Sequence, residues 1–508
     1  MIVKESSIRL FSSIGCAVSL LSMVLIGCDL NSSTSGGGDY SGMPEISTFV
    51  KDYYADNYVG YPTALTVDEE QVFMTGSIDE GGFGSGDRSK AWTALTDLSG
   101  TAQWQKLLTI AGATGLEADI PTAVELSASG ELFMGVTATF FDQTFVLAKL
   151  DRQGNLLWDR LYAEFDEGVT FGLNHIQQME ELNNGDLLLL GDLSGNNSIL
   201  ALFDSTGSIK WSFVIGGVYF GLAPIEGGYV LTGMDKYEAP SIGNASLVTT
   251  ISTDAEGKPD SLIKYSRWFN SKSTDTKEIH TLVDSTLAPD GSVYAVGQSL
   301  NSNTQDVGIL VLKISSDGEV LWRKMYRSMQ NGEVEKCMGN SIVVAEDGNI
   351  HISGRITVYN PDDMNDDWED MIHLQLKPDG SVVNGRRFAE HFRSIELVSG
   401  TLGARLPSIE GNLELGWFIA GLHGEADGYD GNTRLWRIDR ELYAAGTGTA
   451  VAASEVKVDD FTATMFDSAE ALGNTTSFEE YTLSEVQPDN DVVLLSDAAF
   501  MSTRNVAP

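Results

Sequence analysis

The residues whose types and spacing could do chemistry here are carboxylates. Asp362-Asp363-Met364-Asn365-Asp366-Asp367-Trp368-Glu369-Asp370 places six acidic side chains within nine residues. Hard cations prefer several oxygen ligands, so Asp362, Asp363, Asp366, Asp367 and Asp370 are candidate calcium ligands. Asp427 and Asp430, in Asp427-Gly428-Tyr429-Asp430-Gly431-Asn432, form a second candidate loop. Neither loop has EF-hand spacing, which leaves a solvated acidic loop as the plainer alternative. Other chemistry is hard to find. The six histidines (His175, His280, His351, His373, His391, His423) do not fall at close metal-ligand spacing. There is no Gly-x-Ser-x-Gly, no His-Glu-x-x-His and no phosphate loop, so no catalytic residue is assigned. Cys337 stands alone in the body of the chain and reads as a small buried hydrophobe.

Charge narrows the partners. Lys and Arg number 32 against 72 Asp and Glu, for a net charge of −40 over 508 residues. Nucleic acid is excluded as a partner, because phosphate binding needs clustered basic side chains. A chain of this length buries a core without covalent staples, and three cysteines, two of them near the N-terminus, give no internal disulfide framework.

At the N-terminus, Lys4 and Arg9 precede an apolar run from Phe11 to Ile26 that is short for a membrane span. The pattern predicts a secretory signal peptide over residues 1–27. Its end, Leu25-Ile26-Gly27-Cys28, resembles the lipobox of bacterial lipoproteins. That resemblance implies cleavage before Cys28, acylation of its thiol and amino terminus (diacylglycerol and a palmitate-type chain), and a protein anchored to a membrane of the cell envelope. Two or three acyl chains anchor durably where one is marginal. Asp29 after the cysteine implies the inner membrane in enteric bacteria, with the outer membrane open in other lineages. Residues 28–45 then form a lipidated Ser/Gly-rich tether of the flexible type, and the folded body occupies 46–508.

The body is organised by a hairpin, Leu147–Tyr162, that recurs along the chain. Gly100 is followed four residues later by Trp104, Gly154 by Trp158, Gly207 by Trp211 and Gly318 by Trp322. A second landmark, a short apolar strand closing on glycine, ends at Gly76, Gly135, Gly191, Gly233, Gly297, Gly354 and Gly421. These span 345 residues in six intervals, a mean of 57.5. Four apolar segments per unit at this period predict an all-β propeller of seven four-stranded blades. C-terminal strands near Tyr481–Ser496 are expected to help close the ring, and an eighth blade is open if Ile46–Tyr58 supplies outer strands. The recurring tryptophans are expected to pack between blades, and the basic residues two positions on (Lys106, Arg160, Lys324) to lie along strand edges. Residues 444–480 fit no repeat and read as an insertion with a short helix near Ser468–Leu472.

These hairpins resemble the repeats of quinoprotein-like (PQQ-like) β-propellers and of secreted bacterial propellers with an Asp-x-x-Gly-Asn-x-x-Trp consensus. Active quinoprotein dehydrogenases imply a quinone, a calcium ion and a neighbouring cysteine pair, and the pair is missing here. No cofactor is therefore expected, beyond calcium at the acidic loops. Lipoproteins of this architecture include accessory subunits of outer-membrane protein assembly. The leading expectation is thus a non-enzymatic, lipid-anchored binding or scaffolding module, with another envelope protein or a glycan as partner. The alternatives are a carbohydrate-directed hydrolase or lyase with carboxylates at the channel mouth, and a calcium-binding surface protein.

Overall fold

Each repeat becomes one antiparallel sheet, and seven sheets stand around a central axis. The computed structural model describes residues 43, 45–55, 58–80, 89–110, 119–138, 144–164, 173–193, 197–237, 243–269, 278–301, 306–330, 333–358, 368–393, 408–424, 431–440, 449–460, 464–466, 478–480, 483–486, 493–497 and 501–505. Blade 1 comprises Tyr58–Val67, Gln71–Glu80, Ser89–Asp97 and Ala102–Ile110, and blade 2 Asp119–Leu126, Leu132–Ala138, Thr144–Leu150 and Leu156–Glu164. Blades 3 to 6 repeat the plan from Leu173, Val218, Glu278 and Lys336. Within each, neighbouring strands pair in sequence order. The first strands of successive blades touch one another right round the ring, so they form its inner wall.

Blade 7 shows how the ring closes. Ser408–Asn412, Gly416–Gly424 and Gly431–Ile438 supply three strands, and Phe49–Ala55 from the other end of the folded body supplies the fourth. The expectation that C-terminal strands close the ring is corrected on this point, and no eighth blade forms. Phe49–Ala55, within the Ile46–Tyr58 stretch, instead completes the seventh. Asp52 lies opposite Arg434 across this seam. The two form a buried bidentate ion pair, with Arg434 Nη2 donating to Asp52 Oδ2 at 2.8 Å.

The chain then turns back. Thr449–Val451 adds a fifth strand to blade 6, Val456–Asp460 to blade 5, Thr464–Phe466 to blade 4, Phe478–Glu480 to blade 3, Leu483–Val486 to blade 2 and Val493–Asp497 to blade 1. Met501–Asn505 ends the circuit on the far edge of Phe49–Ala55 in blade 7. These described segments between 449 and 505 therefore form a belt that runs around the ring against the order of the blades. Thr449–Val451, Val456–Asp460, Thr464–Phe466 and Phe478–Glu480, which fall in the stretch read as an insertion, are strands of this belt. An outer strand exposes unpaired N–H and C=O groups, a liability that a covering strand removes. Belt segments of three to five residues are too short to carry a repeat signature of their own. The one described helical turn is Ala453–Glu455, and the helix expected near Ser468–Leu472 lies outside the described residues.

Apolar side chains fill the seven gaps between sheets, because strands with two buried faces cannot be covered by one neighbour alone. One cluster lies at each interface. Phe73, Leu95, Val124 and Met134 join blades 1 and 2, and Met371, Phe388, Trp417 and Trp436 join blades 6 and 7. Val451 and Val456 of the belt enter the cluster between blades 5 and 6.

The repeat motif is an inter-blade staple. Asp151, Gly154 and Asn155 form a tight turn in which Gly154 adopts φ 75°, a left-handed conformation. Asp151 Oδ1 accepts from the amides of Gln153 and Asn155 at 2.9 and 2.8 Å. Burial alone would raise the Asp151 carboxyl. The hydrogen bonds from Asn155 and Gln153, with Lys106 of the preceding blade, outweigh it and hold the group below its ordinary value. Trp104 lies against Gly154 and donates its indole N–H to the Arg152 carbonyl at 2.9 Å, so blade 1 rests on the turn of blade 2. Trp158 meets Gly207 in the same way, and Trp322 donates to Pro378 at 3.1 Å. Lys106, Arg160 and Lys324 lie on the same turns. Phe49, Lys51 and Tyr53 of the closing strand repeat this arrangement on Gly100, and Tyr53 donates to the Gly100 carbonyl at 2.7 Å.

Candidate functional site: the central channel

The inner strand of a blade must do two things: pair with its neighbour and present side chains to the axis. A β-bulge, an extra residue on one strand that re-aims its side chains, serves both. Register slips by one residue at Thr63, Thr122, Gln177, Phe220, Val283 and Asn340, at the same place in six inner strands. The landmark glycines face this bulge. A Cβ on Gly297 would overlap the inner-strand carbonyl of Thr281, which is why that strand closes on glycine. In blade 2 the register is displaced. Pro121 pairs with Val136 and Gly135 with Ala123, so Phe133 rather than Leu132 occupies the position equivalent to Phe73.

Beyond the bulges the inner strands of blades 1, 2, 3, 5, 6 and 7 line a cavity of about 380 Å³ on the axis. Reading one position across the seven inner strands, opposite Phe73, Phe133, Leu188, Val230, Tyr294, His351 and Phe418, gives Thr66, Glu125, Glu180, Ala223, Thr286, Val343 and Glu410. Three glutamates from blades 2, 3 and 7 thus enter one collar. Asp284 is a fourth lining carboxylate, but it is a strut. It accepts from the Ser285 and Ile342 amides and the Ser341 hydroxyl at 2.8, 3.0 and 3.0 Å, tying blade 5 to blade 6. Gln178 similarly accepts from the Leu222 amide at 2.7 Å and donates to Glu180 at 2.8 Å. The lining holds no Lys, Arg or His.

Electrostatics within the collar are uneven. Burial pushes the Glu125 carboxyl well above its ordinary value, and the charges of Glu180, Glu410 and Glu181 add to that. A hydrogen bond from the Glu181 amide at 3.4 Å opposes the rise without cancelling it. Glu125 therefore favours its protonated form, the state that a general acid requires.

The sites expected from sequence fall elsewhere. Asp362, Asp363, Asp366, Asp367, Asp427 and Asp430 lie outside the described residues, as does Cys28. Asp370 is not in an open loop. It is buried in the third strand of blade 6, accepting from Arg387 Nε at 2.7 Å, with Glu369 beside it accepting from Arg355 at 3.0 Å. A carboxylate held this way is a structural ion pair rather than a calcium ligand. Among the described residues no three His, Cys, Asp or Glu side chains are placed to share one metal ion. Cys337 is buried, and burial pushes its thiol up to about 12, which leaves it inert. His351 is a core histidine. It shares a hydrogen bond of 3.1 Å with His373 and stacks on Trp417 of blade 7 at 3.8 Å. Burial, with His373 beside it, drives the His351 value down, and burial alone takes His373 to about 3.

Glu125, Glu180 and Glu410 were missed in the sequence because each sits in an ordinary apolar strand without a motif. The signal was available only by aligning the copies on their inner strands. An acidic residue then appears three times at a position that is otherwise small or apolar.

What the fold and channel define is a seven-bladed propeller with an acidic axial pocket. No family model and no curated relative matches the chain. Solved structures similar to it include the periplasmic gluconolactonase PpgL of Pseudomonas aeruginosa, at 13% identity over 66% of this chain and 94% of that one, with a TM-score of 0.35. The polysaccharide lyase Uly1 matches at 13% identity over 65% and 91%, with a TM-score of 0.33. A protein of unknown function from Bacteroides caccae matches at 12% identity over 62% and 93%, with a TM-score of 0.32. At these scores the likeness carries no argument about activity, and the fold stands on the chain's own strand pairing.

Proposed function

We propose that this protein is an envelope-anchored propeller whose central channel binds a small polar ligand. The observation that supports the reading is the collar of Glu125, Glu180 and Glu410, placed at one repeat position in a cavity walled by amides, hydroxyls and carboxylates. A flat apolar face would favour a protein scaffold; among the described residues the exposed large apolar side chains of blade 5 do not form one. Leu287 and Leu321 lie at one end of the blade 5 strands and Val334 at the other. Anchoring rests on Cys28 and its lipobox. A Cys28→Ser protein that still fractionates with membranes would sink that part. For the channel, calorimetric titration with neutral and charged polyols is the test, with Glu180→Gln and Glu410→Gln as controls. Binding that survives both substitutions unchanged would place the site elsewhere.

A second reading is favoured by the raised Glu125 carboxyl. In a carbohydrate-directed hydrolase or lyase, Glu125 would donate a proton to the leaving oxygen while an ionised neighbour acts as base. Release of reducing ends from a glycan panel, lost in Glu125→Gln, would establish it.

A further inference from the structure

We propose that the N-terminal anchor holds the ring with its turn face toward the membrane, so that the axial pocket opens toward the bilayer and the opposite end of each blade looks away. The inference rests on the reading of Cys28 as the anchor and adds the direction in which the body is held.

The turn face is the end of the ring that carries the tight turns at Gly100, Gly154, Gly207, Gly257, Gly318 and Gly380. The chain enters the folded body there. Phe49–Ala55 runs antiparallel to Gly431–Ile438, and its first residue lies opposite Arg437, next to the end of that strand. Phe49 rests on Gly100, and Arg437 Nη1 donates to the Leu98 carbonyl beside the same turn at 2.8 Å. Ahead of the strand, Ile46 is buried against Gly416, where the second strand of blade 7 begins. Packed side chains thus fix the entry point to the turn face.

The pocket opens at the same end. Its lining runs from the bulges to Val67 and Leu126, the last residues of the inner strands of blades 1 and 2 before their turns. Toward the turns, Thr66, Glu180, Thr286 and Glu410 are half-buried. At the bulges, Thr63, Gln177, Phe220 and Asn340 are buried. Among the described residues the way in is therefore from the turn end.

Distances favour one orientation. Glu45 lies seventeen residues after Cys28, and a Ser/Gly-rich segment of that length averages about 23 Å from end to end. With strands of 9 and 10 residues, blade 1 is about 30 Å tall. To present the opposite end, the tether must climb that height outside the blades and still reach the lipid. That consumes most of its fully extended length of about 60 Å, whereas turn face down requires no extension. The turn carboxylates, Asp97, Asp151, Asp204 and Asp254 among them, repel anionic lipid within a Debye length of about 10 Å. The face is accordingly held near the bilayer without lying flat on it, and the pocket mouth stays open to water.

The experiment is energy transfer on the full-length lipidated protein, reconstituted into phosphatidylethanolamine–phosphatidylglycerol vesicles with an acceptor dye on the headgroups. Cys337 is buried and inert and Cys28 is acylated, so one new cysteine at a time takes the donor dye. Gln153→Cys and Glu256→Cys place it on exposed turns of blades 2 and 4, and Val334→Cys on an exposed site at the opposite end. Transfer is expected to be severalfold greater from the two turn positions than from Val334→Cys. Equal transfer from all three, more from Val334→Cys, or none from any in a protein that floats with the vesicles overturns the orientation and leaves the anchor standing. Transfer from Gln153→Cys far above that from Glu256→Cys also overturns it, since the ring would then stand on edge. A protein that does not float with the vesicles removes the anchor itself.

Discussion

Acid should open the seam between blades 6 and 7, and the buried histidine pair sets how steeply. His351 and His373 are fully buried, neutral and hydrogen-bonded to each other under Trp417. Protonating either one puts a charge in an apolar interface. With His373 taken from 6.5 to about 3, the unfolded chain binds a proton between those values that the folded chain refuses. Stability is therefore complete above about pH 6.5 and falls as the pH drops through that window. One pKa unit is worth about 1.4 kcal/mol, so His373 alone costs about 2 kcal/mol by pH 5 and about 5 kcal/mol near pH 3. His351 shifts in the same direction and adds to the slope. The assay is the urea midpoint, converted to free energy, at half-unit steps from pH 7.5 to 4.5. His373→Gln keeps an amide to meet His351 Nδ1 but cannot titrate. Its profile should be shallower than that of the unmodified protein by about 1.4 kcal/mol per pH unit below pH 6. Parallel profiles would refute the argument, since acid sensitivity would then arise elsewhere.

Three further outcomes follow from the ring. Asp52→Ala removes both hydrogen bonds by which Asp52 holds the buried Arg434 at the closing seam. Loss of one partner of a buried pair costs about 3–5 kcal/mol, so thermal melting should show a large drop, partly recovered by Asp52→Ala with Arg434→Ala. Truncation after residue 444 removes the belt and exposes an outer strand edge on every blade. The truncated protein should associate through those edges, and a strictly monomeric elution on light scattering would contradict the belt's role. Gly154→Ala must hold a side chain at φ 75° beneath Trp104. The left-handed conformation alone costs about 1–2 kcal/mol, measurable by denaturant titration.

How much of this could be read from the chain depended on whether a feature repeats. The Gly–Trp hairpin recurs because each blade must rest on the turn of the next, and that requirement wrote the blade number into the sequence. The closing strand was legible in principle. Phe49-x-Lys51-x-Tyr53 matches Trp158-x-Arg160-x-Tyr162 and Trp322-x-Lys324-x-Tyr326, and all occupy the outer strand against the next turn. It was hidden because Phe stands for Trp and no Asp-x-x-Gly turn precedes it, its partner strand lying almost four hundred residues away. The belt was not legible. Its segments borrow their hydrogen bonds from edges that already exist, so almost any extended sequence serves and no pattern is imposed. Asp370 misled for a related reason. Its acidic neighbours suggested a loop, whereas Arg387 from the adjacent strand fixes it inside the blade.

The proposed site on the inner wall fits the same economy of packing. The second, third and outer strands of each blade are committed on both faces, so substitutions there disturb an interface cluster. The bulged inner strand hydrogen-bonds along one edge only, to the second strand, and its other edge borders the channel. Its axial positions can therefore change without unpacking a blade. That freedom fits the variation at the collar, Thr66, Glu125, Glu180, Ala223, Thr286, Val343 and Glu410, while the outer-hairpin turns of blades 1 to 6 all keep glycine, at Gly100, Gly154, Gly207, Gly257, Gly318 and Gly380. The acidic residues are also unevenly spread, two on adjacent blades 2 and 3 and one on blade 7. A ring of near-equivalent sheets thus presents a lopsided field in the channel, and lopsidedness is what would allow one orientation of the proposed small molecule to be preferred over the others. Moving a glutamate to the equivalent place in another blade, as in Glu410→Thr with Thr286→Glu, conserves the charge of the collar and the size of the cavity. If orientation matters, that exchange should weaken binding as much as losing Glu410 alone; if only total charge matters, affinity should be unchanged.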